Sequence, residues 1–245
     1  MNSALIIGGG RGIGRALTEG LLSRTDTRNV VASCRSQSSL ESLQAIDDER
    51  LQGVHLDVTD DASIDAMASR LGEDLPVPNL VIHAAGILHE DDIEPEKSLR
   101  QCRRDAMRRL FEVNSIGPLL VAQAVIPRMA RKARGHYAVL SAMVGSIEDN
   151  RLGGWYSYRA SKAALNQLLR TAAIECRRTH GELCLTAIHP GTTDTDLSAP
   201  FQSNVKPGKL YTPEQSAGRI LDVVLGGSPE DSGRFVNWDG NPIAW

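Results

Sequence analysis

The sequence has little net charge, no long apolar run and no cysteine pattern, and each absence closes off a class of function. Over 245 residues the formal net charge is -3, which gives no electrostatic footing for nucleic acid or for an anionic membrane surface. No apolar run approaches the ~20 residues that a bilayer-spanning helix needs. Met1–Ile7 lacks the charged start and long apolar core of a signal peptide. The four cysteines, Cys34, Cys102, Cys176 and Cys184, form neither a C-x-x-C pair nor a zinc spacing with histidine. They read as reduced thiols, so a cytoplasmic location and no metal site are expected.

What is present is a chain of globular composition, 41% hydrophobic and 23% charged. Its length suits a single open α/β unit without internal repeats. Short β-branched runs occur at Ala4–Ile7, Asn29–Cys34, Gly53–Asp57, Leu80–His83, Tyr137–Leu140 and Cys184–Ile188. Several are apolar throughout, as strands covered on both faces are. Helical spacing fills the intervals: Ile13, Leu17, Leu21 and Leu22 share one face, and Leu165, Leu168, Leu169 and Ala172 another. Thr212-Pro213-Glu214 reads as the start of a last helix. Strand-then-helix repetition predicts a doubly wound, mainly parallel sheet of Rossmann type with helices on both faces.

Two segments carry the chemistry. The first strand runs into Gly8-Gly9-Gly10-Arg11-Gly12-Ile13-Gly14 and then a helix. Helix N-terminal amides attract an anion, and glycines let a pyrophosphate touch the backbone. Arg35 follows the second strand, where enzymes selective for NAD carry an acid. With Arg11 it suits a ribose 2′-phosphate, so NADP(H) is the expected cofactor. The second segment is Tyr158-Arg159-Ala160-Ser161-Lys162. Tyr and Lys four apart share a helix face, and an ammonium beside a phenol favours the phenolate. The pair is expected to lower the tyrosine pKa and to move a proton.

In order along nearly the whole chain, these segments resemble the short-chain dehydrogenase/reductase family. Gly8-x-x-x-Gly12-x-Gly14 is similar to its cofactor loop. Asp57-Val58 is similar to its adenine-contacting pair, and His83-Ala84-Ala85-Gly86 to its N-N-A-G segment beside the adenine ribose, with both asparagines replaced. Asn114 matches the helix asparagine that holds a water of the proton relay, and Tyr158 and Lys162 match the catalytic pair. Pro190-Gly191-Thr192-Thr193-Asp194-Thr195 matches the segment that clasps the nicotinamide. Gly145-Ser146-Ile147, the stretch Gly153–Lys162 and the tail from Asn237 resemble the C-factor and sniffer-type carbonyl reductases within the family.

The resemblance implies hydride transfer between NADPH and a small carbonyl or alcohol, with Tyr158 as acid or base. It also implies a homodimer or homotetramer, paired through long helices near residues 107–131 and 155–177. Residues 197–210 fall where the family places a substrate lid, and Trp155 and Tyr156 are candidates for an aromatic wall. One departure bears on catalysis. Counting back three residues from Gly145, the position of the family's catalytic serine holds Ala142. Ser141 and Ser146 flank it, and Ser141 is the preferred substitute, provided the strand end bends. The missing serine, with the C-factor resemblance, keeps a rival open: a cofactor-binding signalling or regulatory protein with little turnover.

Overall fold

The computed structural model describes residues 3–245, with every side chain but that of Asn204. Seven strands form one sheet: β1 (Ser3–Ile7), β2 (Asn29–Cys34), β3 (Leu51–His55), β4 (Leu80–His83), β5 (Gly135–Leu140), β6 (Leu183–His189) and β9 (Arg234–Asn237). Their order is β3-β2-β1-β4-β5-β6-β9, and every neighbouring pair is parallel. A two-residue pair, β7 (Thr192–Thr193) with β8 (Leu210–Tyr211), stands apart from the sheet. Strand order reverses between β1 and β4, so the crevice at their carboxyl ends is where ligands sit in such sheets.

Seven helices cover the sheet: α1 (Gly12–Leu22), α2 (Gln37–Gln44), α3 (Asp61–Ser69), α4 (Arg104–Phe111), α5 (Gly117–Val125), α6 (Tyr156–Thr179) and α7 (Pro213–Gly226). Alternation along each strand divides the core in two. Leu5, Ile7, Val81 and Val139 face α3, α4, α5 and α6. Ala4, Ile6, Ile82 and Leu140 face α1 and α7. The expected doubly wound fold is therefore the one observed.

Three local differences have physical reasons. β3 starts two residues earlier than Gly53 and ends before Asp57. Asp57 Oδ1 accepts bonds from the Thr59 amide at 2.9 Å and its hydroxyl at 2.8 Å, which turns the chain away from the strand. β9 is only four residues long, too short for a pattern to show. The stretch Arg104–Arg128, counted as one helix, is long and apolar enough to cross a membrane by length and composition. It is not an unbroken apolar run, since Glu112 and Asn114 lie within it. More than half of its most apolar window is buried inside the protein, and it is interrupted by a π turn at Glu112–Ile116.

Candidate active site

The β1–α1 turn is built to bring backbone close to something. Gly8 has φ +82°, and a Cβ there would lie 2.8 Å from the Ala85 amide nitrogen. A Cβ on Gly14 would lie 2.0 Å from the Gly8 carbonyl oxygen, so only glycine fits either position. Gly10 packs on Ser39 and Cys34. Arg11 occupies the N-cap of α1 in an extended conformation, and no side chain caps the helix. Gly12 and Ile13 therefore open α1 with amides that no side chain satisfies, which suits a pyrophosphate. Across the crevice, Thr195 faces Gly12; a Cβ on Gly12 would be 3.2 Å from its methyl group.

The two arginines assigned to a 2′-phosphate are held by carboxylates. Arg35 lies 3.1 Å from Glu90, which Arg109 also grips at 2.7 Å. The Arg109 bond, with Arg35 behind it, keeps the Glu90 carboxyl below its ordinary range. Arg11 pairs at 3.5 Å with Asp196, both well exposed, a contact of little energetic weight. Sequence reading missed Glu90, because it lies 55 residues from its partner Arg35 and nothing in the sequence shows that the two meet. Burial works to raise the Asp57 pKa, but the Thr59 bonds and the charges of Arg35 and Arg109 leave it lowered. Val58 is buried, and its carbonyl oxygen would be 2.4 Å from a Cβ on Gly117, so the β3–α3 turn packs directly on α5.

Gly86, Asn114 and Lys162 converge. A Cβ on Gly86 would lie 3.2 Å from Asn114 Oδ1 and 3.4 Å from Lys162 Nζ. Asn114 sits in the π turn and is fully buried. Its Oδ1 accepts from the Ile87 amide at 2.9 Å, and its Nδ2 donates to the Ile87 carbonyl at 2.8 Å and to Ser161 Oγ at 3.1 Å. These bonds tie Ile87, which follows Ala84, Ala85 and Gly86 at the exit of β4, to the second turn of α6. Lys162 Nζ donates to the Leu140 carbonyl at 2.9 Å and stands 5.8 Å from the Tyr158 ring centre.

The electrostatics correct one expectation. The phenol of Tyr158 is not lowered: burial pushes it above its ordinary value of 10. The same burial pulls Lys162 down to about 8. Loss of hydration around the buried hydroxyl disfavours the phenolate. Tyr158 is therefore a firmly protonated phenol at neutral pH, suited to giving a proton rather than taking one.

Ser141 also needs correction. It is buried, and its hydroxyl donates to Asn166 Oδ1 at 2.6 Å. That residue lies one turn beyond Lys162 on α6, so the donor is occupied away from any substrate. Ser146 is buried too; it accepts from the Asp149 amide at 3.0 Å and reaches the Trp245 carbonyl at 3.4 Å. Ala142 belongs to the same apolar cluster as Tyr158. Both flanking hydroxyls are thus engaged within the protein.

The remaining wall is apolar and aromatic. The Trp155 ring meets Tyr158 at 6.1 Å and Phe201 at 5.1 Å, both edge-on, and Phe201 meets His89 at 5.9 Å. Tyr156, the other aromatic candidate, points to solvent, with 40% of its surface exposed. Pro190 and Gly191 follow β6, and a Cβ on Gly191 would press on Tyr211 and Trp238 at 3.0 Å. Thr193 shares a 2.6 Å hydroxyl contact with Ser216. His83, which stands for an asparagine, has no partner for either ring nitrogen. Burial, with the Lys162 charge, drives its pKa down to about 3.

Comparison with known proteins adds four findings. A family model described as short chain dehydrogenase matches residues 2–206. The chain is 32% identical over 247 residues, spanning 100% of both proteins, to 1-hydroxy-2-glutathionyl-2-methyl-3-butene dehydrogenase of Rhodococcus sp. (strain AD45). It is 35% identical over 139 residues to C-signal of Myxococcus xanthus, covering 57% of this chain and 78% of the relative. Among solved structures, NADPH bound carbonyl reductase from chicken fatty liver superposes with a TM-score of 0.85 at 33% identity, covering 99% of this chain and 94% of that one.

Proposed function

The chain belongs to the short-chain dehydrogenase/reductase family, and on that premise we propose that it is an NADPH-dependent carbonyl reductase with Tyr158 as the proton donor. The observation that carries this reading is the buried Tyr158 phenol with buried Lys162 one helical turn away, 5.8 Å from its ring centre. A phenol held above its ordinary pKa is matched to an alkoxide that must be quenched as it forms. The substrate class proposed is an aldehyde, ketone or quinone, reduced to the alcohol.

The residues present fit the cofactor. Gly8, Gly10, Gly12, Ile13 and Gly14 leave backbone free for a pyrophosphate. Arg11 and Arg35 bind the 2′-phosphate once released from exposed Asp196 and partly buried Glu90. Asp57 and Val58 flank the adenine, Ala84, Ala85 and Gly86 the adjoining ribose, and Pro190, Gly191, Thr193 and Thr195 the nicotinamide. When bound, NADPH supplies the hydride; the protein supplies geometry and field. Tyr158 donates its proton to the substrate oxygen. Lys162 stabilises the phenolate that remains, and Asn114 fixes the π turn beside it. The relative solved with NADPH bound supports this cofactor.

Replacing Tyr158 with Phe tests the reading. NADPH oxidation with a panel of aldehydes, ketones and quinones is expected to vanish while NADPH binding persists; normal activity in that variant ends the assignment. A second reading has one observation behind it: Ala142 removes a donor that neither neighbouring serine replaces. Tight NADPH binding without turnover on any carbonyl favours a signalling or regulatory role, as the similarity to C-signal suggests. The proposal also includes a cytoplasmic homodimer or homotetramer. It rests on the family resemblance, and sedimentation velocity tests it.

A further inference from the structure

Helix α6 starts badly by its own means. Its N-cap is Trp155, a residue with no capping oxygen, in the left-handed region at φ +53°. Gly153 and Gly154 precede it at φ +65° and +67°. Three left-handed residues in a row, ending on a bulky one, persist only where the surroundings fix them. Tyr158 is the third residue of that helix, so any slack in the first turn passes to the phenol.

The surroundings that fix it come from far away in sequence. Glu96, in the loop after β4, is 4% exposed. Its Oε2 accepts from the Ser157 amide at 3.2 Å, and its Oε1 accepts a short bond from the Ser157 hydroxyl. Its carbonyl oxygen accepts from the Trp155 amide at 2.5 Å. One residue thus holds three groups in the three positions before Tyr158. On the other side, the Arg159 guanidinium donates to the Gly154 carbonyl at 3.0 Å and the Gly153 carbonyl at 3.2 Å. The carboxylate partners of Glu96 are a helix N-terminal amide and a hydroxyl, the donors that a helix start offers an anion. The Trp155 ring so placed rests edge-on against Tyr158.

We propose that Glu96 is a positioning residue for the reaction: it caps α6 from outside the helix and thereby sets where the Tyr158 phenol stands. The inference rests on Tyr158 being the proton donor. It is independent of the ammonium of Lys162, since burial alone accounts for the raised phenol pKa.

The test compares E96A, E96Q, S157A and Y158F in the full chain, using NADPH and one accepted carbonyl. Glutamine keeps an oxygen for the Ser157 amide and offers an NH2 to its hydroxyl; alanine keeps only the backbone bond to Trp155. E96A is expected to lose kcat by about tenfold or more, since small misplacements of a reacting group are costly. Its NADPH Kd stays within about twofold, and its solvent deuterium isotope effect on kcat rises as proton donation becomes limiting. E96Q is expected to recover most of the lost kcat. Should E96A fail to fold, S157A takes its place, with a smaller loss of kcat and the same rise in isotope effect. An unchanged kcat in E96A, or a loss in NADPH affinity as large as that in kcat, overturns the proposal. So does equal damage in E96A and E96Q. If Y158F itself remains active, the function assigned to Tyr158 fails instead, whatever the Glu96 variants do.

Discussion

Replacing Lys162 with Met is expected to make the protein more stable at neutral pH while removing its activity. The ammonium is buried and its pKa falls from 10.5 to about 8. At about 1.36 kcal/mol per pKa unit, the charged form costs the native state roughly 3 kcal/mol. Met fills similar volume without that penalty. It leaves the Leu140 carbonyl without its 2.9 Å donor, which takes back about 1 to 2 kcal/mol. The net gain at pH 7 is about 1 to 2 kcal/mol, or a few degrees in Tm for a chain of this size. The sign with pH follows from proton counting. Below about 8 both native and unfolded chains hold the proton, and the penalty is fully present. Between about 8 and 10.5 the unfolded chain binds a proton that the native state has released, so wild-type stability rises with pH. The advantage of K162M must therefore shrink across that window and reverse near its top. Urea unfolding of both proteins at pH 7, 8.5 and 10 measures this. A difference that does not change with pH, or a variant already weaker at pH 7, refutes the burial argument.

Four further outcomes follow from the same structure. Gly8→Ala must push against the Ala85 backbone at 2.8 Å from a left-handed φ; NADPH binding measured by fluorescence is expected to fall at least about tenfold. Ala142→Ser restores a hydroxyl beside Tyr158 and, if its geometry is right, raises kcat by up to ~10²-fold; no gain in steady-state rate counts against a simple missing donor. Arg35→Ala is expected to weaken NADPH binding far more than NADH binding, which titrations with each cofactor compare. His83 and His136 are buried and His189 is partly buried; desolvation drives their pKa values down to about 3, 4 and 4. Their contribution is whole above 6.5 and is lost as pH falls toward those values. Each lowers stability by about 1.4 kcal/mol per pH unit there, so denaturant midpoints should drop steeply between pH 6.5 and 5.

The parts of the site that could be read from sequence are those set by contiguous residues. The glycine loop, the Tyr158–Lys162 spacing and the alternation of strands with helices each sit within a few positions. They return in the structure as a close-packed turn, a shared helix face and a parallel sheet. What escaped depends on pairs far apart in the chain. Glu90 draws Arg35 and Arg109 together, and Asn166 takes the hydroxyl of Ser141. Proximity in sequence made Ser141 a natural substitute for the serine missing at position 142; its partner on α6, 25 residues on, decides otherwise. Charge spacing likewise predicted a lowered phenol, because a sequence shows the neighbouring ammonium and hides the burial that outweighs it.

The corrected electrostatics give the pair a division of labour, and with it a pH limb. A phenol raised by burial keeps its proton until the substrate oxygen develops charge. Once the proton leaves, a phenolate stands in an apolar pocket, where an unpaired anion is costly. Lys162, 5.8 Å from the ring centre, is the cation placed to offset part of that cost. It does so only while it is charged. With its pKa near about 8, the lysine is cationic at neutrality and loses its charge just above. The rate of carbonyl reduction is therefore expected to hold level below pH 7 and to fall as pH rises through about 8, well below the pH at which Tyr158 itself could ionise. Single-turnover NADPH oxidation across pH 6 to 10 measures this limb. A rate that stays flat to pH 10 means that the ammonium is not what stabilises the phenolate. A midpoint unmoved by Lys162→Arg, whose guanidinium stays charged throughout, means the same.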